Sequence, residues 1–213
     1  MEHGLDHFFI LTEPGAPQAD LLSAAGLREG EPNRHPGQGT ANRRFFFANS
    51  MLELLYVCDE VEATRGSGKR LRIAERVSNP EASPFGVVVR EGADPGSPNF
   101  PGWKYFPDYL PDHRFLRIGS NSEILAEPLC IGLPPEFPED LGKPPQRRAL
   151  ARLTGLCISL PVTRLSAALE SLARAHPIMF RPGEPHRMEL IFDHARNGRK
   201  ADFRPQLPLL IHW

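Results

Sequence analysis

The stretch from His35 to Phe47, HPGQGTANRRFFF, constrains this chain most. Gly37 and Gly39 punctuate a turn, because glycine accepts backbone angles that other residues resist. Aromatic and alternating residues follow, and a second run, MLELLYV, covers Met51 to Val57. The two runs read as strands joined by a short turn at Asn49-Ser50. A single carboxylate, Glu53, sits inside the second, otherwise apolar run. A buried carboxylate is costly unless something pairs with it. Glu53 is therefore either a functional group or the salt-bridge partner of Arg43 or Arg44 on the neighbouring strand.

The companion of Glu53 stands near the start of the chain. Leu5 to Thr12, LDHFFILT, reads as a strand in which His7 is the odd residue. Strand alternation sends Asp6 to the face opposite His7. Between the two strands, Pro17 to Gly26 reads as a short helix with Leu21, Leu22 and Ala25 on its apolar face and Gly26 as its C-cap. The order is strand, helix, then strands at about Leu27–Arg34, Thr40–Ala48 and Met51–Val57. Alternation groups Glu53 with Met51, Leu55 and Val57 on one face.

With LDHFFI at the first strand and LELL at the fourth, the chain resembles the vicinal oxygen chelate superfamily of glyoxalases, bleomycin-resistance proteins and dioxygenases. The motif from His35 to Asn42 is similar to its bacterial glyoxalase-like branch. The resemblance covers the first quarter of the chain best. It implies a βαβββ module curling around a small-molecule site. It also implies a divalent metal held by His7 and Glu53.

The last third repeats the layout by pattern. Leu153–Leu160 reads as a strand and Thr163 as the cap of a helix carrying Leu165, Ala168, Leu169 and Leu172 at helical spacing. Met188–Phe192 and Pro208–His212 read as strands, and Asn197-Gly198 between them is a hairpin signal. The expected fold is α+β, with two βαβββ modules forming curved mixed sheets around a cleft. Residues 1–66 form the first module and 147–213 the second, with Leu153–Leu160 and Pro208–His212 matching its first and fourth strands. Residues 67–146 hold an intervening helix at Gly68–Val77 capped by Ser67, strands at Ser83–Arg90, Trp103–Phe106, Phe115–Ile118 and Pro128–Gly132, and a Pro-rich linker from Pro134 to Pro145. Asp59–Arg65 reads as a polar loop. The second module departs from the metal pattern: the place of His7 falls near Gly155, and that of Glu53 near Leu209 or Leu210. Further ligands would come from His35, or from His176, His186, His194 or His212.

Bulk properties narrow the function classes. The 213 residues suffice for a well-buried core. A net charge of -1 and the lack of a basic stripe argue against nucleic acid and anionic membrane as partners. No apolar run nears the roughly 20 residues needed to span a bilayer, and no secretory signal is visible. Cys58, Cys130 and Cys157, without CxxC pairing, read as buried, reduced thiols of a cytoplasmic protein. Nucleotide-binding, hydrolase-elbow and zinc-finger motifs are absent. The expected partners are a small-molecule substrate or ligand and a second copy in a homodimer.

The candidate site gathers around these strands. His7 and Glu53 are the metal candidates, and Glu53 with His35 the catalytic ones, Glu53 also serving as a general base in a metal-free site. Asn42 and Arg44 share a strand face with Thr40 and Phe46 and suit recognition of a carboxylate or carbonyl. Asn42 and Thr40 equally suit the role of fixing the glycine turn by hydrogen bonds to the backbone. Arg90 is a candidate anion anchor, and Trp103, Tyr105, Phe106 and Tyr109 either wall an apolar pocket or form core. The expected function is a glyoxalase-like lyase, isomerase or oxygenase. Its alternative is a metal-free binding or sequestering protein of the same fold.

Overall fold

Strand β1 (Leu5–Leu11) leads to helix α1 (Ala19–Ala24), then to β2 (Asn33–His35), β3 (Thr40–Phe46) and β4 (Met51–Val57). The computed structural model describes residues 4–92, 98–111, 114–134, 150 and 152–213. β4 returns to lie parallel beside β1, with Phe9 opposite Glu53. These strands share one sheet in the order β2-β3-β4-β1. α1 is shorter than its sequence signal and buries Ala19 and Leu22, while Leu21 is exposed.

The same sheet continues through β5 (Phe85–Arg90), β6 (Gly102–Tyr105), β7 (Leu116–Gly119) and β8 (Leu129–Leu133) in the order β5-β8-β7-β6. β8 lies parallel to β5 as β4 does to β1, and β5 runs antiparallel to β1. The two halves thus join edge to edge into one mixed sheet of eight strands, curled as a half-barrel. The strands read as intervening therefore form the counterpart of the first module. Between β5 and β6 no helix occurs among the described residues, so this half lacks the strand, helix and strands pattern of the first.

The C-terminal unit forms a second sheet from β9 (Leu153–Leu160), β10 (Ile178–Pro182), β11 (Arg187–Phe192), β12 (Lys200–Asp202) and β13 (Leu209–His212), with α4 (Ala167–Ala175) between β9 and β10. Its order is β10-β9-β11-β13-β12. Leu153–Leu160 and Pro208–His212 are therefore not related as β1 and β4 are. β9 takes β10 as its parallel neighbour, directly across the α4 crossover, and β13 lies parallel to β11. Two antiparallel central strands, β9 and β11, each flanked by a parallel one, repeat the middle of the large sheet in shortened form. Asn197-Gly198 is no two-residue hairpin: β11 before it and β12 after it are not neighbours, because β13 lies between them, parallel to β11.

Between β4 and β5 the helices fall elsewhere than expected. The Asp59 carboxylate accepts the Glu62 N–H at 3.0 Å and caps α2 (Glu60–Arg65), in the segment read as a loop. The expected helix from Gly68 is instead a 3-10 turn at Ser67–Leu71, a left-handed Arg72 (φ 58°), and then α3 (Ile73–Ser78). α4 is capped by Ser166, whose hydroxyl accepts the Leu169 N–H at 3.4 Å, and not by Thr163. Residues 135–149, most of the Pro-rich linker, lie outside the described residues. Cys130 and Cys157 are buried, and burial pushes the Cys130 thiol up to about 12; Cys58 is exposed, against expectation.

Alternation gives the large sheet two apolar faces. Phe8 and Ile10 of β1, Leu52 and Leu54 of β4, and Phe85, Val87 and Val89 of β5 pack with α1 and the C-terminal sheet. Phe9, Leu11, Leu55, Val88, Leu116 and Leu133 form the other face, inside the curl. Gly86 is required there, because a Cβ on it would collide with the Phe9 ring. No helix among the described residues is long and apolar enough to cross a membrane.

Candidate functional site

His7 and Glu53 arrive at one place because β1 and β4 are parallel neighbours whose inward residues line the same wall. The imidazole Nε2 stands 4.0 Å from the Glu53 carboxylate. They face a cavity of about 1030 Å³ that also receives His35, Arg44, Arg90 and Tyr105. Arg152, Leu153, Thr154 and His194 close it from the C-terminal unit.

Asp6 does not point away from His7. Leu5 pairs with Val89 and His7 with Val88, so two steps along β1 match one along β5. Asp6 is the extra residue of a β-bulge, which breaks the alternation and re-aims its side chain. Its carboxylate meets His7 Nδ1 at 2.7 Å and Arg90 at 2.8 Å. Burial raises the Asp6 carboxyl, but His7 and Arg90 outweigh it and hold the group below its usual range. Burial also pulls the His7 imidazole down, yet the charge on Glu53 and the Asp6 hydrogen bond hold it above its ordinary value. Asp6 thus fixes the ring and leaves Nε2 to the cavity, as carboxylates behind functional histidines do.

Glu53 is 7% exposed. Arg43, one of its two expected salt-bridge partners, is engaged elsewhere. Arg43 binds Glu29 at 2.6 Å and Asp20 at 2.8 Å, and the Nε of Arg44 donates to the Glu31 carbonyl. The Asn42 amide donates to Glu53 at 2.9 Å, while its oxygen accepts the Asn33 N–H at 2.7 Å. Asn42 is fully buried and absent from the cavity wall, so it orients Glu53 and does not meet a ligand directly.

A buried chain of hydrogen bonds runs through the glycine turn. The Tyr105 and Tyr109 hydroxyls donate to the Gln38 oxygen at 3.4 Å each. The Gln38 amide donates to the Thr40 hydroxyl at 2.8 Å, which lies 3.0 Å from His35 Nδ1. An amide N–H can only donate, so the Thr40 hydroxyl keeps its own proton for another partner; directed at His35 Nδ1, that proton would leave the ring's own proton on Nε2. Burial holds His35 below its ordinary value, with the charges of His7 and Arg44 acting the same way against Glu53. Burial lifts the Tyr109 hydroxyl well above its usual range. Gly37 and Gly39 have φ of 78° and 71°, and a Cβ on Gly39 would strike the backbone of α2.

Two expected wall residues are placed elsewhere. Trp103 donates its indole N–H to Ser122 at 3.1 Å and lies under the Arg70 guanidinium, off the wall; Phe106 is exposed and leans, tilted, against Phe115. Asp6 and Arg152 are wall residues that sequence reasoning missed. The bulge leaves no local mark, and Arg152 belongs to a unit joined to the site only by folding. Of the C-terminal histidines, His194 reaches the wall, while His176, His186 and His212 do not.

No group of three or more His, Cys, Asp or Glu side chains suited to a metal occurs among the described residues. His7 Nε2 and the free oxygen of Glu53 are the donors that converge. The matching strands of the second half, β5 and β8, turn Val88, Arg90, Ile131 and Leu133 to the cavity. This donor set fits an ion completed by a ligand's own oxygens and water, not a four-ligand protein cage.

No family model matches the chain, and no curated protein matches it. Among solved structures it is similar to the crystal structure of a hypothetical protein from Staphylococcus aureus, at 8% identity and a TM-score of 0.58, with 98% of each chain covered. That likeness shows a shared fold over the whole length.

Proposed function

We propose that the chain is a small-molecule enzyme of the vicinal oxygen chelate type, acting on a compound with neighbouring oxygens. The observation that carries this is the convergence of His7 Nε2 and Glu53 at 4.0 Å on the wall of a part-apolar cavity. In a metal-free site Glu53, oriented by Asn42, would take a proton from a carbon or hydroxyl of the substrate. His7, fixed by Asp6, is placed to hold or return that proton at Nε2. His35 offers its Nε2–H as a neutral donor to a substrate oxygen. Phe9, Leu55 and Val88 exclude water from the same wall. A divalent metal, if resident, would be held by His7 and Glu53 and would supply Lewis-acid polarisation of the neighbouring oxygens.

The test is calorimetric titration of the full chain with Zn²⁺, Mn²⁺ and Ni²⁺, in parallel with Glu53→Gln. Saturable binding of one ion, lost in the variant while the fold survives, supports the metal form of the reading. A second reading, a metal-free binding protein, is favoured by the apolar Val88 and Ile131 on the wall of the second half. It requires that ligand affinity and metal content both be unchanged in Glu53→Gln.

A further inference from the structure

We propose that the end of the cavity closed by the C-terminal unit is an anion subsite, in which Arg152 receives a carboxylate on the same molecule whose neighbouring oxygens meet Glu53 and His7. This rests on the small-molecule reading above and adds a substrate class to it: an elongated organic acid with paired oxygens at its other end.

The geometry comes from the β3–β4 turn. The Asn49 amide donates to the Leu153 carbonyl at 2.9 Å, and its oxygen accepts the Leu153 N–H at 3.0 Å. This two-way clamp fixes the start of β9, and with it Arg152 and Thr154, on the wall that begins at Glu53. A strand rises about 3.3 Å per residue, so Met51, the first residue of β4, lies about 7 Å along it from Glu53, and the clamped turn at Asn49 lies beyond.

The charges agree. Of the wall's guanidiniums, Arg90 is bonded to Asp6, whereas no carboxylate among the described residues pairs with Arg152. Arg44, on the cavity face of β3 opposite Glu53, adds positive charge along the path. Beside Arg152, the residues Asp193, His194 and Ala195 are consecutively left-handed, with φ of 47°, 59° and 54°. Non-glycine residues rarely adopt that conformation, and runs of them are held by their surroundings. The Asp193 N–H is bonded to the Arg152 carbonyl and the His194 N–H to the Thr154 hydroxyl at 2.8 Å. These bonds keep His194 on the wall next to Arg152, as a second donor to an anion.

The experiment titrates the full chain with 3,4-dihydroxycinnamate and, separately, with its neutral methyl ester. The acid is expected to bind at least tenfold tighter than the ester. Arg152→Gln should bring the two within about twofold by weakening only the acid, and Arg152→Lys should keep part of the preference. Glu53→Gln should weaken acid and ester alike. Equal binding of acid and ester by the native chain, or an unchanged preference in Arg152→Gln, overturns the subsite while leaving the cavity reading standing if Glu53→Gln still weakens both. Failure of both compounds to bind at millimolar concentration overturns the subsite and the cavity reading together.

Discussion

At His7, two carboxylates compete with burial for the proton of one imidazole ring. The charge on Glu53 is the largest single raising influence, followed by the Asp6 hydrogen bond and the Asp6 charge. Glu53→Gln should therefore lower the His7 pKa, as read from histidine ring resonances in an NMR titration; an unchanged value would mean that Glu53 does not act on the ring. The linkage sign follows. His7 is raised above its ordinary value of 6.5 in the fold, so its stabilising effect is complete below that pH. It fades as the pH rises through the folded-state value. Asp6, held low, stabilises above its ordinary 3.8 and ceases to do so as the pH falls through its folded value. His35 is the opposite case to His7: neutral in the fold, it loses stability as the pH drops below 6.5. Its Nε2–H form depends on Gln38 through Thr40. Long-range ¹H–¹⁵N spectra should show that tautomer in the native chain and a mixture in Thr40→Val. That variant should also cost about 1–3 kcal/mol, because the Gln38 amide is left without its buried acceptor.

Among the elements, the β3–β4 hairpin does more than carry Glu53. Its turn residue Asn49 behaves as one more strand residue for β9, accepting and donating at Leu153. Asn49→Ala removes two hydrogen bonds and should cost about 1–3 kcal/mol of unfolding free energy in urea. Amide exchange should quicken at Leu153 and Thr154 before it changes in β1 or β4. At β5, Gly86→Ala forces the Phe9 ring from its seat and should destabilise by about 1–3 kcal/mol. The displaced ring would enter the cavity, so loss of ligand affinity should accompany the loss of stability. β1, β3 and β4 were legible in the sequence because their alternation and glycine turn are local. α2 was not, since its cap, Asp59, stands before a polar segment with one buried residue, Ala63. β10 was not read at all. Arg181 and Pro182 end it with polar punctuation, and its pairing partner, β9, lies across a helix.

On the scale of the whole molecule, one apolar cluster unites both sheets. Phe8, Leu52 and Phe85 of the large sheet belong to it together with Leu156, Met188 and Leu209 of the C-terminal unit. Phe47 and Phe192 meet edge to face across that boundary at 4.7 Å. Glu127, 1% exposed, accepts the Ser166 N–H at 2.8 Å and its hydroxyl at 2.6 Å, so the large sheet's side of the molecule holds the start of α4. A core shared in this way should unfold as one unit. Trp103 in β6 and Trp213 after β13 are the two tryptophans and report on opposite sides of the boundary. In Trp103→Phe and Trp213→Phe, the remaining fluorescence should follow coincident urea transitions after correction for each variant's midpoint against circular dichroism. Separate transitions would divide the molecule into independent units.

The sequence by itself determined the α+β class, the curved first module and the meeting of His7 with Glu53. The class depends on periodicity and on turn chemistry written within a few dozen residues; the curl and the meeting of the two side chains are what the resemblance carried by LDHFFI and LELL implies. Only the tertiary structure decided that the first module's partner is Phe85–Leu133, because a repeat without its helix keeps its strand pairing and loses its pattern. The same holds for the place of Asp6, where one extra residue against β5 overrules the alternation of β1. It holds as well for Arg152 and His194, which reach the cavity because Leu153, next to Arg152, is bonded to Asn49 104 residues earlier, and His194 is bonded to Thr154. Alternation and capping are set by neighbours along the chain; bulges, shared walls and the pairing of distant strands are set by what the folded sheet brings alongside.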